Sequence, residues 1–153
     1  NFTQDINGIA LFSNTSIGSP LSGKKTLLLY GTTTDNSVIN LKLNEITDWI
    51  SIPSGTATKI SAEVVGVQTV GPAGTVGDMI TRVFKAGVKN TSMPGTLDVI
   101  NPLISEVCEN IGLSGCIIGS NTIPNKFYIT VQGQSSKTIK WIASVTITYY
   151  KFS

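Results

Sequence analysis

The sequence contains no histidine, and this absence removes several common kinds of catalytic and metal site. Without an imidazole there is no Ser-His-Asp triad, no Cys-His pair and no metal centre with a histidine ligand. Two cysteines are too few for a zinc site made of thiolates alone. No glycine-rich phosphate loop of a standard spacing is present. We therefore predict a protein that is not an enzyme, with no catalytic residue, no metal site and no cofactor, and the residues that bind a ligand stay unknown.

Charged side chains are also scarce, at 13% of the chain against about 25% in ordinary proteins. The mean hydropathy is +0.20. A lone domain with so few charges leaves much of its surface weakly hydrated, and contact with further copies of the same chain would cover part of it. The alternative is a monomer whose surface is hydrated by Ser, Thr and Asn. We predict a homo-oligomer.

Three further absences limit the partners. The net charge of +2 is small and the basic residues are scattered, which argues against nucleic-acid binding. The longest apolar run, residues 27–30, is too short to cross a bilayer, so we predict no membrane span. No signal peptide pattern is present. Because the chain opens on Asn1, we expect a fragment or a processed product that a further segment precedes.

Alternating apolar positions indicate an all-β chain, most clearly in its last strand. Every second residue from Ile139 to Tyr149 is apolar, and many are β-branched, which is typical of a strand with one buried face. A similar alternation covers residues 127–131. The short polar linker at 133–137 predicts that these two strands form a hairpin.

A third run covers residues 59–70, and 76–88 is its predicted hairpin partner. The alternation breaks at Val64 and Val65, which indicates burial on both faces or a bulge. Weaker strand candidates are 26–30, 38–43, 49–52, 96–100, 104–108 and 113–118. Strands of this number with short turns predict an antiparallel β-sandwich or jelly roll.

The division of the chain follows from composition. Residues 1–25 are rich in Asn, Ser, Gly and Thr, and we interpret them as an irregular lead-in. Residues 26–153 are the predicted β-sandwich domain. Cys108 and Cys116 do not amount to a disulfide framework, and we expect two reduced, buried thiols, although their spacing could bridge a hairpin.

The last two runs carry motifs that resemble a known family. Residues 127–133 read FYITVQG and residues 139–145 read IKWIASV. Ahead of them come IPSG at 52–55, a run of small and β-branched residues at 60–70, and a run at 79–89. In order and spacing these motifs resemble the C-terminal knob or head domains of bacteriophage tail fibres, spikes and tail needles, over residues 46–153. The sequence departs from the family at Met79, where a Trp is often found.

The resemblance implies a homotrimeric β-sandwich similar to the tumour-necrosis-factor or C1q jelly roll. It implies a location in the phage tail of the virion, at the end of an upstream shaft of the same polypeptide. The implied role is host-cell attachment or entry, through contact with a surface glycan or protein receptor. Two alternatives stay open: a carbohydrate-binding module of a cell-surface or secreted protein, and a carboxylate-based glycan hydrolase.

A hydrolase would need two carboxylates that face each other across a sugar. Glu45 with Asp48, and Glu106 with Glu109, are close in sequence, but that does not place them across a cleft. We expect surface or turn positions for all nine carboxylates of the chain. They are Asp5, Asp35, Asp48, Asp78, Asp98, Glu45, Glu63, Glu106 and Glu109.

Aromatic side chains could stack on sugar rings. A polar turn at 31–37, which contains Asp35 and Asn36, could also bind a ligand. Trp141 lies on the apolar face of its strand, so we expect it in the core. Tyr128 and Tyr150 lie on the opposite faces of their strands and are expected at the surface or at a subunit interface. The remaining aromatic candidates are Trp49, Tyr30 and Tyr149.

Overall fold

The computed structural model of the chain describes residues 2–5, 8–11, 22–91 and 96–152. Strands occupy most of these ranges, and the part of the chain described contains no α-helix. The strands are β1 (Phe2–Asp5), β2 (Gly8–Leu11), β3 (Ser22–Thr33), β4 (Val38–Asn40), β5 (Ile50–Ser51), β6 (Thr56–Val70), β7 (Met79–Asn90), β8 (Leu97–Glu109), β9 (Ile117–Ile123), β10 (Lys126–Gln132) and β11 (Thr138–Lys151).

Two antiparallel sheets form the two layers of a sandwich. The large sheet has the strand order β3-β11-β6-β7-β8. In the small sheet, β9 pairs along one edge of β10, while the short strands β4 and β5 pair along its other edge. Strands β1 and β2 pair separately with each other. The predicted all-β antiparallel sandwich is confirmed.

The apolar faces of the two sheets meet in one core. Alternate residues of β6 and β11 are buried, as a strand with one covered face requires. Phe84 of the large sheet and Phe127 of the small sheet contact each other across the layers, with ring centroids 6.0 Å apart. The largest side chains of this core are Trp141, Phe84, Phe127, Leu29, Leu41, Ile52, Ile60, Ile80, Leu113, Ile129 and Ile139.

The predicted hairpin between the last two strands is wrong. β10 belongs to the small sheet and β11 to the large sheet, so the linker at 133–137 crosses from one layer to the other. Both strands direct their alternating apolar residues into the same core, but from opposite sides. Two strands of a hairpin in one sheet would show the same alternation in their sequences. Gly133 lies in the crossing, where a Cβ would collide with Thr33 Oγ1 and lie 2.7 Å from the carbonyl oxygen of Asp35.

The predicted hairpin of the runs at 59–70 and 76–88 is confirmed as β6 and β7, which pair without a register shift. The break at Val64 and Val65 is therefore not a bulge. Val64 is fully buried, and Val65 on the opposite face is half-buried. The alternation blurs because the outer face of β6 is itself partly covered.

Two other strand assignments need correction. The runs at 96–100 and 104–108 are one strand, β8, which lies at the edge of the large sheet. Asn101 and Pro102 together face the single residue Ala86, and this arrangement is a β-bulge. Proline is tolerated at a bulge in an edge strand. The run at 113–118 starts as a 3₁₀ turn at Ile111–Leu113, and β9 begins only at Ile117.

In the lead-in predicted as irregular, β1 and β2 form an antiparallel pair, and β3 begins at Ser22 rather than at residue 26. Residues 12–21 lie outside the described ranges. The division at residue 25 stays a prediction. No helix in the described ranges has the length and apolar character needed to cross a bilayer.

Candidate functional site

A cleft of about 570 Å³ opens between the two layers at one end of the sandwich. One wall is formed by the first residues of β3 and β6 and the last residues of β11, which lie side by side. The other wall is formed by Leu43, Thr47 and residues 49–54. The cleft exists because β4 and β5 have only three and two residues, so the long strands extend beyond the small sheet that covers them.

The floor of the cleft is apolar. Leu27 of β3 and Ile147 of β11 contribute from the large sheet, and Ile50 and Ile52 contribute from the opposite wall. All four are also part of the core, with 6% or less of each side chain exposed. A ligand in the cleft would therefore contact the hydrophobic core of the domain directly, which favours a ligand with an apolar face.

Two aromatic rings line the cleft, and neighbouring residues hold each of them in place. Lys126 Nζ lies 3.8 Å from the ring centroid of Trp49, a cation-π contact that orients the indole. Tyr149 lies opposite Gly23 in the pairing of β11 with β3. A Cβ at Gly23 would lie 2.7 Å from Tyr149 Oη, so the missing side chain leaves the space that the phenol ring occupies.

Among the residues described, the charged side chains that line the cleft are lysines. Lys25 and Lys151 line it, and no Asp or Glu is among the described residues that do so. The hydroxyl groups of Thr47, Ser51 and Ser54 also line it. An apolar floor, two aromatic rings and several hydroxyls together suit a ligand that is part apolar and part hydroxylated.

The described carboxylates that were considered for hydrolysis do not line the cleft. Asp48 accepts a hydrogen bond from Asn40 Nδ2 at 2.8 Å, and Glu45 is exposed. Glu109 forms an ion pair with Arg82 at 2.5 Å. The side chains of Asp5 and Glu106 lie outside what the structure describes. The cleft thus lacks, among the residues described, the facing carboxylate pair that a glycosidase needs.

No group of three or more metal-ligating side chains occurs among the residues described. In the polar turn at 31–37, Asp35 Oδ1 accepts a hydrogen bond of 2.7 Å from the Ser37 backbone N–H. This bond and the Ser37 hydroxyl lower the pKa of the Asp35 carboxyl. The carboxylate is therefore engaged in closing its own turn, which is an ordinary structural role for aspartate.

The other aromatic candidates have different surroundings. Trp141 is in the core, as predicted, and its Nε1 donates a hydrogen bond of 2.9 Å to Thr33 Oγ1. The expectation for Tyr128 is wrong, because only 6% of this residue is exposed within the single chain. Tyr150 is 57% exposed and Tyr30 is 37% exposed, so both are at the surface.

The two cysteines are free and differ in their surroundings. Cys116 is buried, as predicted, and burial raises the pKa of its thiol. The expectation that Cys108 is buried is wrong, since it lies exposed on β8.

Most residues of the cleft carry no functional signal in the sequence. Trp49 and Tyr149 were candidates as aromatic residues, but Lys25 and Lys151 carried no signal, because they belong to strands at opposite ends of the chain. Only the pairing of β3 with β11 brings these two lysines to one end of the sandwich.

Comparison with known proteins gives little further information. No family model matches the chain, and no curated protein matches it. Two solved structures are similar in part: the tailspike protein of Acinetobacter baumannii phage AM24, and a tailspike protein of Acinetobacter baumannii bacteriophage Fri1, which is a capsular polysaccharide depolymerase.

The similarity to both tailspikes is weak. The identities are 11% and 13%, and the TM-score is 0.42 in each case. The matches cover 84% and 90% of this chain but only 26% and 21% of the AM24 and Fri1 proteins. At these scores neither likeness carries an argument about the fold or function of this chain.

Proposed function

We propose that this chain is the homotrimeric knob of a bacteriophage tail fibre, spike or tail needle, and that it acts in attachment to the host cell surface or in entry. In the virion it would lie at the end of a shaft formed upstream in the same polypeptide. The proposal is supported by the motif order of residues 46–153 and by the antiparallel sandwich. The observation that carries it is an exposed apolar row on the outer face of the large sheet.

This row crosses the strands of the large sheet. Tyr30 of β3, Ile142 of β11 and Val65 of β6 lie side by side, on the face that points away from the core. Ile142 is 48% exposed and Tyr30 is 37% exposed. Leu28 and Met79, each 38% exposed, extend the patch to the adjacent rows. Apolar side chains that are contiguous on a sheet face are typical of a surface that packs against another protein.

The occupant that best fits this face is a second copy of the chain. The chain has few charges to keep such a surface hydrated. Wherever the chain is present, other copies of it are present too, and most oligomers of soluble proteins are built from identical subunits. The rows beside the apolar one carry Lys140 and Glu63, so the face presents both signs of charge to a copy. The large-sheet residues that line the cleft lie on the inner face of the sheet, so the cleft is not part of this outer face.

The oligomeric state tests the proposal. Light scattering of the purified chain is expected to show one species near three times 16.2 kDa. A single monomeric species at micromolar concentration would overturn the trimer and with it the knob. Attachment is tested separately by binding of the chain to an array of bacterial surface polysaccharides, where several copies on one particle would add avidity to weak single contacts.

A carbohydrate-binding module of a cell-surface or secreted protein is the second candidate, and the aromatic cleft favours it. Binding to glycans alone does not separate this module from a phage knob. The sequence of the full-length parent does, because a repetitive or heptad-containing shaft upstream would favour the fibre. The third candidate, a glycan hydrolase, receives no support from the cleft, because no Asp or Glu is among the described residues that line it.

A further inference from the structure

We infer that the cleft between the sheets binds a neutral saccharide, which stacks on Trp49 and Tyr149 and forms hydrogen bonds with the hydroxyls that line the same cleft. This inference rests on the proposed role in host attachment. It names the chemical class of the surface group that the domain would recognise, and the part of the fold that would recognise it.

The aromatic rings favour a saccharide. The carbon-bound hydrogens of a pyranose make one face of the sugar ring apolar, and an aromatic ring offers a flat surface that matches it. Tyr149 of β11 belongs to one wall of the cleft and Trp49 belongs to the other. Both residues are half-buried. Each wall thus contributes one aromatic ring to the space that a ligand would enter.

Both rings are held in place before a ligand arrives. Lys126 Nζ lies 3.8 Å from the ring centroid of Trp49 and so covers one face of the indole. A ligand in the cleft would contact the rest of that ring. The ring of Tyr149 occupies the space that a side chain at Gly23 would fill. Because neither ring is free to turn, little conformational entropy is lost when a sugar packs against them.

The hydroxyl groups favour a sugar over an acyl chain. Thr47, Ser51 and Ser54 line the cleft, and each hydroxyl can both donate a hydrogen bond to a sugar and accept one from it. An acyl chain would fill the apolar floor but would leave these hydroxyls without partners, which costs free energy. The volume of about 570 Å³ is ordinary for a small-molecule site, since such sites span about 300–1,000 Å³.

Charge does not set the preference of the cleft. Lys25 already has an interaction partner within the chain. Lys151 is the last residue of β11 and is exposed, and a single ion pair in such a position adds little affinity. Stacking and hydrogen bonds would therefore carry the binding, and the affinity should depend little on salt.

The direct test is calorimetric titration of the whole chain with three neutral tetrasaccharides, built of glucose, mannose or galactose. The apolar probe is 1-octanol, which has no sugar ring. We expect at least one tetrasaccharide to bind at millimolar concentration or below, and its affinity to change by less than about twofold between low and high salt. We expect no saturable binding of octanol.

Tryptophan fluorescence reports on the site itself. The chain has two tryptophans, and Trp141 is 2% exposed in the core. A saccharide that stacks on Trp49 shields this indole from water, so the emission should shift to shorter wavelength as the sugar is added. The shift should saturate at the same concentration as the heat of binding. Binding without any change of emission would place the sugar away from Trp49.

Variants locate the stacking surfaces. Trp49→Leu and Tyr149→Leu are each expected to weaken binding by about three- to tenfold. Tyr150→Leu is the matched control, because it removes an exposed aromatic ring of the same strand that does not line the cleft, and it should not alter binding. An unchanged midpoint of urea unfolding shows that a variant is folded.

Lys126 has a positioning role, and a pair of variants tests it. Lys126→Met keeps an apolar chain of similar length but loses the cation, so Trp49 is held less firmly and binding should weaken by about threefold. Lys126→Arg restores a cation that can lie over the indole, and it should restore the affinity.

The inference is wrong if none of the three tetrasaccharides binds at millimolar concentration, or if octanol binds more tightly than all of them. It is also wrong if Tyr150→Leu weakens binding as much as Trp49→Leu does. A trimeric chain that binds no saccharide would refute the cleft and leave the knob standing. A monomer that binds a saccharide would refute the knob and leave the cleft standing.

Discussion

At the scale of single residues, the contact between Gly66 and Trp141 places the largest side chain of the core. The two residues face each other across β6 and β11. A Cβ at Gly66 would lie 2.5 Å from Trp141 Cζ3, so the indole occupies the space that any other residue would fill. The hydrogen bond from Trp141 Nε1 to Thr33 Oγ1 fixes the other side of the ring. A glycine inside a strand is thus a packing requirement here.

Gly66→Ala is therefore expected to destabilise the fold by about 1–3 kcal/mol, because the buried indole cannot move away without strain. Urea unfolding at fixed protein concentration measures the effect. Gly87→Ala on β7 is the matched control, since its Cβ would meet Ile100 at 3.5 Å, an ordinary contact. Its free energy of unfolding should stay within about 0.5 kcal/mol of the parent. Equal effects of the two substitutions would contradict the proposed packing.

The thiol of Cys116 gives a second prediction at this scale. Burial raises its pKa above the ordinary value of 9.0, more than Lys137 and Arg82 lower it. A raised pKa disfavours the thiolate, which is the reactive form, and burial also blocks access. In a Cys108→Ser variant at pH 8, the remaining thiol should react with a disulfide reagent only when denaturant is added. Rapid reaction in the native protein would show that Cys116 is not in the core.

At the scale of elements, two features of the strands are not visible in the alternation of apolar residues. One is the crossing at 133–137, which carries the chain from the small sheet to the large sheet. The other is the bulge in the edge strand β8, where Asn101 has a positive φ of 43°. The bulge and Pro102 interrupt the free edge of the large sheet, which lowers the tendency of this edge to pair with another chain.

Asn101 should tolerate glycine but not valine. Asparagine and glycine adopt positive φ readily, whereas a β-branched residue is strained there. We expect Asn101→Val to lower the free energy of unfolding by about 1–3 kcal/mol and Asn101→Gly to change it little. Thermal unfolding of the two variants in parallel checks this. If valine is tolerated as well as glycine, the bulge is not formed as described.

At the scale of the whole molecule, the proposed trimer depends on the outer face of the large sheet. Ile142→Lys would place a charge in the centre of the exposed apolar row. Because the side chain is 48% exposed in the single chain, the fold should survive the change while the trimer dissociates. Light scattering is expected to show a monomer for this variant and a trimer for the parent.

Ile46→Lys is the control for that experiment. It makes the same chemical change at an isoleucine that is 87% exposed and lies in the loop between β4 and β5. Its mass should equal that of the parent. A trimer that survives Ile142→Lys would place the subunit interface on another surface of the molecule.

The sequence by itself determined the class of the fold and the position of most strands, because burial of one strand face imposes a period of two that is visible in residues 139–149. It also identified Trp141 as a core residue from its place in that period. The hairpin of β6 and β7 followed from the turn at 71–74. All of these are local patterns, set by neighbours along the chain.

Only the tertiary structure decided which strands share a sheet, and therefore where the cleft lies. An alternating strand buries the same residues whether the next strand lies beside it or in the opposite layer, so the pattern of β10 and β11 could not reveal the crossing. The burial of Tyr128 and the placement of Lys25 and Lys151 along one cleft depend likewise on contacts between residues distant in sequence. The cleft forms because the long strands of one sheet extend beyond the short strands of the other. No single segment of the sequence shows this difference.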